Sequence, residues 1–440
     1  MTIADRTADN RNEGAVARLA QALERIDAAD RAPSPFTRLY RDDAGRAAAE
    51  SDRRSGEGRS LGPLDGRILS IKDLFDVAGE VTTAGSAVLR RQPPAGQDAT
   101  AVARLRQAGA VVVGKTLMTE FAFSAVGLNP HDGDPGNPHD RARIAGGSST
   151  GAAISVVDGL SEIAIGSDTG GSLRIPAALC GAVGFKPTAG RVPTSGAFSL
   201  SSTLDVVGPM AGHVEDCALA DAILAGEAPV ALPRFPADGF RLVLPRGRLF
   251  ADAEPAVMAA FDDALGRLRA AGTVVEDGSL EPELERLAAI DAIGAFTAIE
   301  LGATLKELGV ESLAEVDPKT RARIEAGQGK AAPDYVRMIR LRNRLVGDLQ
   351  ARMRDNIVFA LPTVPITAPL IADVREDQAF HRVNGLVLRN PRVANLLDCP
   401  SISLPIATPG LPVGLMLIGR RGTDRAFLAI ARAVEAMLAG

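Results

Sequence analysis

Two glycine-rich turns follow each other closely in the middle of this chain, Gly146-Gly147-Ser148-Ser149-Thr150-Gly151 and Ser167-Asp168-Thr169-Gly170-Gly171-Ser172. Only a short helical pattern (152–158) and a short strand pattern (162–165) lie between them. Glycine lets the backbone come close to a ligand and aim its N–H groups at it, and two such turns in succession are uncommon in a purely structural region. The surroundings must hold them in place. Residues 67–71 and 110–113 read as buried apolar strands around a helix at 98–109, and that strand–helix–strand order predicts an α/β sheet covered by helices.

The rest of the chain fits one large α/β domain with a mixed central sheet. Residues 13–30 carry apolar side chains at helical spacing (Val16, Leu19, Leu23, Ile26), and 40–61 read as a solvated helix ending in a Ser/Gly-rich stretch. Segment 1–62 is therefore expected to be a helical extension packed on a core domain of 63–440. A proline-rich stretch at 228–236 reads as a linker. Strand patterns at 240–244 and 273–276 flank a helix at 255–271, and 281–352 is a long helical stretch with breaks. Strands at 357–361, 402–406 and 413–418 and a helix at 424–438 close the chain. The more helical insertion at about 250–350 is placed to cover a site.

Charge and composition exclude several classes of function. The balance of 49 basic against 54 acidic residues gives a formal charge of −5, whereas a phosphate-binding surface needs a concentrated basic excess, so no nucleic-acid partner is expected. Tryptophan is absent and only Tyr40 and Tyr335 are tyrosines, which leaves few stacking platforms for bases. Cys180, Cys217 and Cys399 are far apart and form no CxxC pair, so they read as free buried thiols in a reducing compartment. The N-terminus is polar, without the apolar core of a signal peptide, and no run of about 18 uncharged apolar residues occurs. A cytoplasmic protein without a membrane partner is expected.

Three motifs mislead. Gly109–Thr116 fits the phosphate-binding loop pattern, but its four central residues, Ala110-Val111-Val112-Val113, read as strand, and their N–H groups belong to a sheet. Gly147-Ser148-Ser149-Thr150-Gly151 fits the nucleophile elbow, but no strand precedes it, and neither His213 nor His381 stands in a context suggesting a base. His131, Asp132, Asp134, His139 and Asp140 are interleaved with Gly, Pro and Asn, as in a loop whose Asx side chains cap their own backbone. Neither metal nor cofactor is expected.

What remains is Lys72 at the end of an apolar segment, together with the two serine-bearing turns. Amide cleavage needs a nucleophile, a base, a proton for the leaving nitrogen and donors for the oxyanion. A lysine kept neutral by desolvation serves as base to a serine. On residues alone, a Ser–Lys hydrolase and a surface lysine beside two tight turns both stay open, and the second is the simpler.

The sequence resembles the amidase signature family. The match centres on GGSSTGAAISV (146–156) and AIGSDTGGSLRIPAALCGAVGFKPTAGRVPTSG (164–196). LSIKDLFDVAG (69–79), DATAVARLRQAGAVVVGKT (98–116) and NLLDCPSISLPIATPGLPVGLMLIG (395–419) support it. The resemblance implies the amidase signature fold and an amidohydrolase that splits a small amide into an acid and ammonia or an amine. By position it makes Ser172 the nucleophile, Ser148 (with a cis peptide before it) the relay and Lys72 the base. The oxyanion donors would be the N–H groups of Thr169, Gly170, Gly171 and Ser172, with Ser149 and Asp168 in support. Met118, Phe121 and Phe123 fall where relatives line the acyl pocket, with plain core as the other reading, and Arg174 is either a partner for a substrate carboxylate or, as is more usual in the family, a structural arginine at the start of a helix. Thr150, Ala152 and Asp398 depart from the family's usual Gly or Ser. Expected partners are a small-molecule amide and, left open, a second copy of the chain. The alternative function is the glutaminase component of a tRNA-dependent amidotransferase.

Overall fold

Short runs of β-branched and aliphatic residues with no polar alternation need cover on both faces, and this chain supplies that cover with helices. The computed structural model describes residues 13–28 and 33–439. Its strands are β1 (Phe36–Leu39), β2 (Ile68–Lys72), β3 (Val111–Thr116), β4 (Ile163–Ser167), β5 (Val183–Lys186) and β6 (Val207–Ala211), then β7 (Arg241–Pro245), β8 (Val274–Gly278), β9 (Ile357–Pro362), β10 (Ser401–Ile406) and β11 (Val413–Ile418). All join one 11-stranded sheet in the order β1-β3-β2-β4-β6-β5-β10-β11-β9-β7-β8. The sheet is mixed: β3, β2 and β4 are mutually parallel, as are β8, β7 and β9, and the strands between the two groups pair antiparallel. The α/β expectation holds.

Every residue of β2, β3, β4, β5, β6 and β11 is buried. The P-loop-like Gly109–Thr116 lies mostly within β3, and the Lys115 ammonium sits buried 3.3 Å from Asp73. The helix read at 13–30 appears as Ala15–Ala28, residues 29 and 30 lying outside the described residues. The strand expected at 67–71 is shifted by one residue, so Lys72 ends β2 instead of following it. The stretch 281–352 resolves into four helices, Glu281–Asp291, Phe296–Glu307, Pro318–Gly327 and Ala332–Arg352. Among the described residues no single helix is long and apolar enough to cross a membrane.

Candidate active site

The site forms where parallel strands end. β2 and β4 are register-paired neighbours (Ile71 opposite Ile165), so Lys72 and Ser167 emerge side by side at their C-terminal ends, the edge where open α/β sheets hold their ligands. The first glycine turn leads into the helix Thr150–Val157, and the second joins β4 to the helix Arg174–Cys180. Lys72 Nζ donates to Ser148 Oγ at 2.7 Å and to Ser167 Oγ at 3.0 Å. All of this is out of water: Lys72 and Ser148 are 0% exposed. Burial drives the Lys72 pKa down to about 7, while Asp168 and Asp205 pull weakly the other way.

Ser148 follows a cis peptide bond, Gly147–Ser148. No hydrogen bond joins its hydroxyl to that of Ser172; the two turns are tied instead through Ser149 N–H, which donates to the Ser172 carbonyl at 3.3 Å. The Ser149 hydroxyl donates to the Ser167 carbonyl at 3.3 Å. Ser172 lines a cavity of about 370 Å³. One wall is apolar, made by Phe123, Leu200, Leu204, Phe296, Leu388 and Leu396, and the polar lining includes Thr169, Gly170, Arg323, Arg392 and Asp291.

Asp168 organises the second turn. Its carboxylate accepts from Gly171 N (2.8 Å), Leu173 N (3.1 Å), Arg174 Nε (3.0 Å) and Nη2 (2.9 Å), and Asn395 Nδ2 (2.9 Å). Burial works against its charge, but the Arg174 guanidinium outweighs it and holds the pKa at about 2. One sequence expectation is corrected here, and of the two readings of Arg174 the structural one holds. Gly171, expected among the oxyanion donors, spends its N–H on Asp168, so the N–H groups of Thr169, Gly170 and Ser172 are the ones left without an acceptor among the described residues. Arg174, considered as a partner for a substrate carboxylate, is 0% exposed, absent from the cavity wall, and committed to Asp168, the Pro391 carbonyl and Asn395.

Of the three expected pocket residues only Phe123 lines the cavity. Met118 is buried in the core and Phe121 stacks on Phe198 at 5.6 Å, so both are packing residues. Asp398, where the resemblance led to an expectation of glycine, sits at φ 54°, and its carboxylate accepts from Ala189 N and Arg421 Nε, bonds that glycine could not make. The imidazoles are engaged elsewhere: His131 Nε2 meets Glu120 at 2.8 Å, His139 Nε2 meets the Cys180 carbonyl at 2.9 Å, His213 lies near Glu435, and His381 packs edge-on against Phe380.

Sequence reading misses three contributors. Ser167 is the second hydroxyl on Lys72. Asp205 accepts from Thr169 Oγ1 at 2.6 Å and fixes that residue, and burial raises its own pKa to about 6. Arg323 reaches the cavity from the helical cover. The position of Ser167, opening the Ser-Asp-Thr-Gly-Gly-Ser turn at the end of an apolar run, is the available signal for the first; the other two carry none.

This combination, a buried lysine on a serine at the mouth of a mixed sheet with a second serine facing a cavity, makes a candidate serine-type hydrolase site. Comparison gives the family: a family model described as Amidase matches residues 17–428, and the chain belongs to the amidase family. It is 36% identical over 402 residues to 2-amino-5-chloromuconic acid deaminase of Comamonas testosteroni, covering 89% of this chain and 86% of the relative. It is 34% identical to a glutamyl-tRNA(Gln) amidotransferase subunit of Anaeromyxobacter dehalogenans, covering 94% and 91%. A crystal structure of an amidase superposes with a TM-score of 0.87 at 31% identity, covering 100% of both chains. The protein is therefore an enzyme that hydrolyses amide carbon–nitrogen bonds.

Proposed function

We propose that the reaction runs through a Ser172 acyl-enzyme, with Ser148 as proton relay and Lys72 as terminal base. One observation carries this reading: the 2.7 Å contact between Lys72 Nζ and Ser148 Oγ in a fully buried setting, where the lysine pKa is about 7. A lysine half neutral near pH 7 has a lone pair for the Ser148 proton, and Ser148 in turn takes the proton of Ser172 as it attacks the substrate carbonyl. The hydrogen bond between the two serine hydroxyls belongs to the substrate-bound state, since catalytic hydrogen bonds commonly tighten there.

The Ser172 Oγ–carbon bond forms and the carbonyl oxygen becomes an oxyanion facing the N–H groups of Thr169, Gly170 and Ser172. Each donor of this kind contributes about 3 kcal/mol in other hydrolases. The carbon–nitrogen bond then breaks, and the nitrogen leaves with the proton returned through Ser148. Water adds to the acyl carbon by the same relay and frees the acid and Ser172. Asp168, held as a carboxylate by Arg174, braces the turn and transfers no proton.

Replacing Ser172 with alanine is expected to lower turnover by at least about 10³-fold and to abolish labelling by a fluorophosphonate. Labelling that survives in S172A and disappears in S149A would transfer the role to the elbow serine. The similarity to an amidotransferase component over 94% of the chain favours a second reading, a glutaminase acting within a complex. An amide panel containing glutamine separates the two: turnover of glutamine alone supports the glutaminase.

A further inference from the structure

The cavity beside Ser172 has three charged side chains in its wall, and two of them cancel. Arg392 Nη2 donates to both Asp291 oxygens, at 2.7 and 2.8 Å, in a pair 40% exposed on each side. The third is Arg323. Its Nη1 donates to the Phe123 carbonyl, and its guanidinium carbon lies 3.8 Å above the centre of the Phe123 ring. No carboxylate among the described residues pairs with it, and burial alone brings its pKa down to about 10, so it stays charged at neutral pH. A guanidinium has five N–H donors in a planar fork that matches a carboxylate. One of these is used by the protein.

Arg323 is also held in place. It rides on the helix Pro318–Gly327, whose first turn is capped by the Asp317 carboxylate, accepting from Lys319 N and Thr320 N at 3.0 Å. Asp317 N–H donates to the buried Glu120 carboxylate at 2.9 Å, which fastens the helix start to the core. At its other end Gly327 lies so close to Ala298 that a Cβ there would meet the Ala298 carbonyl carbon at 2.4 Å. A cation placed this firmly in a substrate cavity without a counter-charge lacks its partner until the ligand arrives.

We propose that Arg323 recognises a carboxylate, and that the amide cleaved at Ser172 is one that carries a free carboxylate, such as the half-amide of a short dicarboxylic acid. This rests on the Ser172 reading above. The distal carboxylate is a handle and takes no part in bond making; water and the half-amide give the dicarboxylic acid and ammonia. An apolar wall completes the cavity, so the spacer between the two ends is a hydrocarbon chain.

The test compares half-amides of dicarboxylic acids of increasing length with neutral amides of matched length. The wild type is expected to favour the best acid by at least about tenfold in kcat/KM, and R323Q to reduce that ratio by about 10²-fold, mostly through KM. R323K, which keeps the charge but loses the fork, should retain part of the preference. Binding of glutarate and its homologues to S172A and to S172A/R323Q, followed by calorimetry, reads the anion subsite without chemistry and should weaken in the double variant. Equal use of acids and neutral amides by the wild type, or parallel losses on both in R323Q, would reduce Arg323 to packing on Phe123. Turnover surviving in S172A while R323Q still abolishes diacid binding would overturn the nucleophile and leave the subsite standing. An inactive S172A with an unaltered R323Q ratio would do the reverse.

Discussion

At the scale of single residues, the proposed chemistry at this site turns on the solvation of one amine. Among the described residues Lys72 has hydroxyls as its hydrogen-bond neighbours and no carboxylate in contact, so the loss of water around its charge outweighs the pull of the more distant Asp168 and Asp205. The sign follows: the proton must leave Lys72 before it can act, so kcat/KM should rise with pH through about 7 with unit slope and stay level on the alkaline side. A maximum near pH 5 would rule the lysine out as base. K72A should cost about 10²–10⁴ in kcat, and K72R should not rescue it because a guanidinium keeps its proton. A histidine variant as inactive as K72A, with its circular dichroism intact, would assign the base elsewhere. The importance of Lys72 is legible in the sequence only through the long glycine–serine signature; 76 positions separate it from Ser148, and no local pattern says that the two meet.

At the scale of elements, the helical cover connects to the catalytic edge by identifiable contacts. Glu300, on the helix Phe296–Glu307, accepts from the Ser201 and Thr203 hydroxyls and from Tyr335, and so holds the loop whose Asp205 fixes Thr169. The neighbouring helix Pro318–Gly327 seats through Gly327, so G327A has to push the two helices apart. Overpacking of this kind costs about 1–3 kcal/mol, and hydrogen exchange should quicken across Pro318–Gly327 while β2 and β4 stay protected. Unchanged exchange would mean that the seat is looser than the geometry shows. Strands that are dominated by apolar runs, such as β3 and β11, are legible in the sequence because full burial leaves a one-residue-type signature. β5 and β6 are not, since β5 is only four residues long and Pro209 inside β6 reads against a strand; a Cβ on Gly208 would meet the Phe185 carbonyl oxygen at 2.4 Å, so that glycine serves the sheet. β1 is a four-residue edge strand, too short for a period to show. The breaks in 281–352 are marked by Gly294, Gly309 and Gly329, which is why the stretch reads as broken, but which of its helices faces Ser172 is a tertiary fact.

At the scale of the whole molecule, the cavity draws on segments from Ala122 to Leu396, and that spread is why Arg323 has no signal in the sequence. Arg174 stands two residues after Ser172, yet its fork points away from the cavity, to Asp168 and, 217 positions along the chain, to the Pro391 carbonyl. Asn395 closes the same junction, donating to the Asp168 carbonyl at 3.0 Å and carboxylate at 2.9 Å and accepting from Arg174 at 2.6 Å. N395A removes all three bonds from a buried place, so the urea midpoint should fall by the equivalent of about 1–3 kcal/mol, and fluorophosphonate labelling of Ser172 should slow although Asn395 touches no substrate. Labelling at the wild-type rate would mean the turn holds its shape without that support. The same junction sets an order on biosynthesis. A growing chain has Lys72, Ser148 and Ser172 in hand once the second turn has left the ribosome, but Pro391 and Asn395, which brace that turn from outside, are still to be translated. At about 5–20 residues per second the interval is some tens of seconds, during which the nascent chain carries the proposed triad without the bonds from Pro391 and Asn395 that brace its second turn.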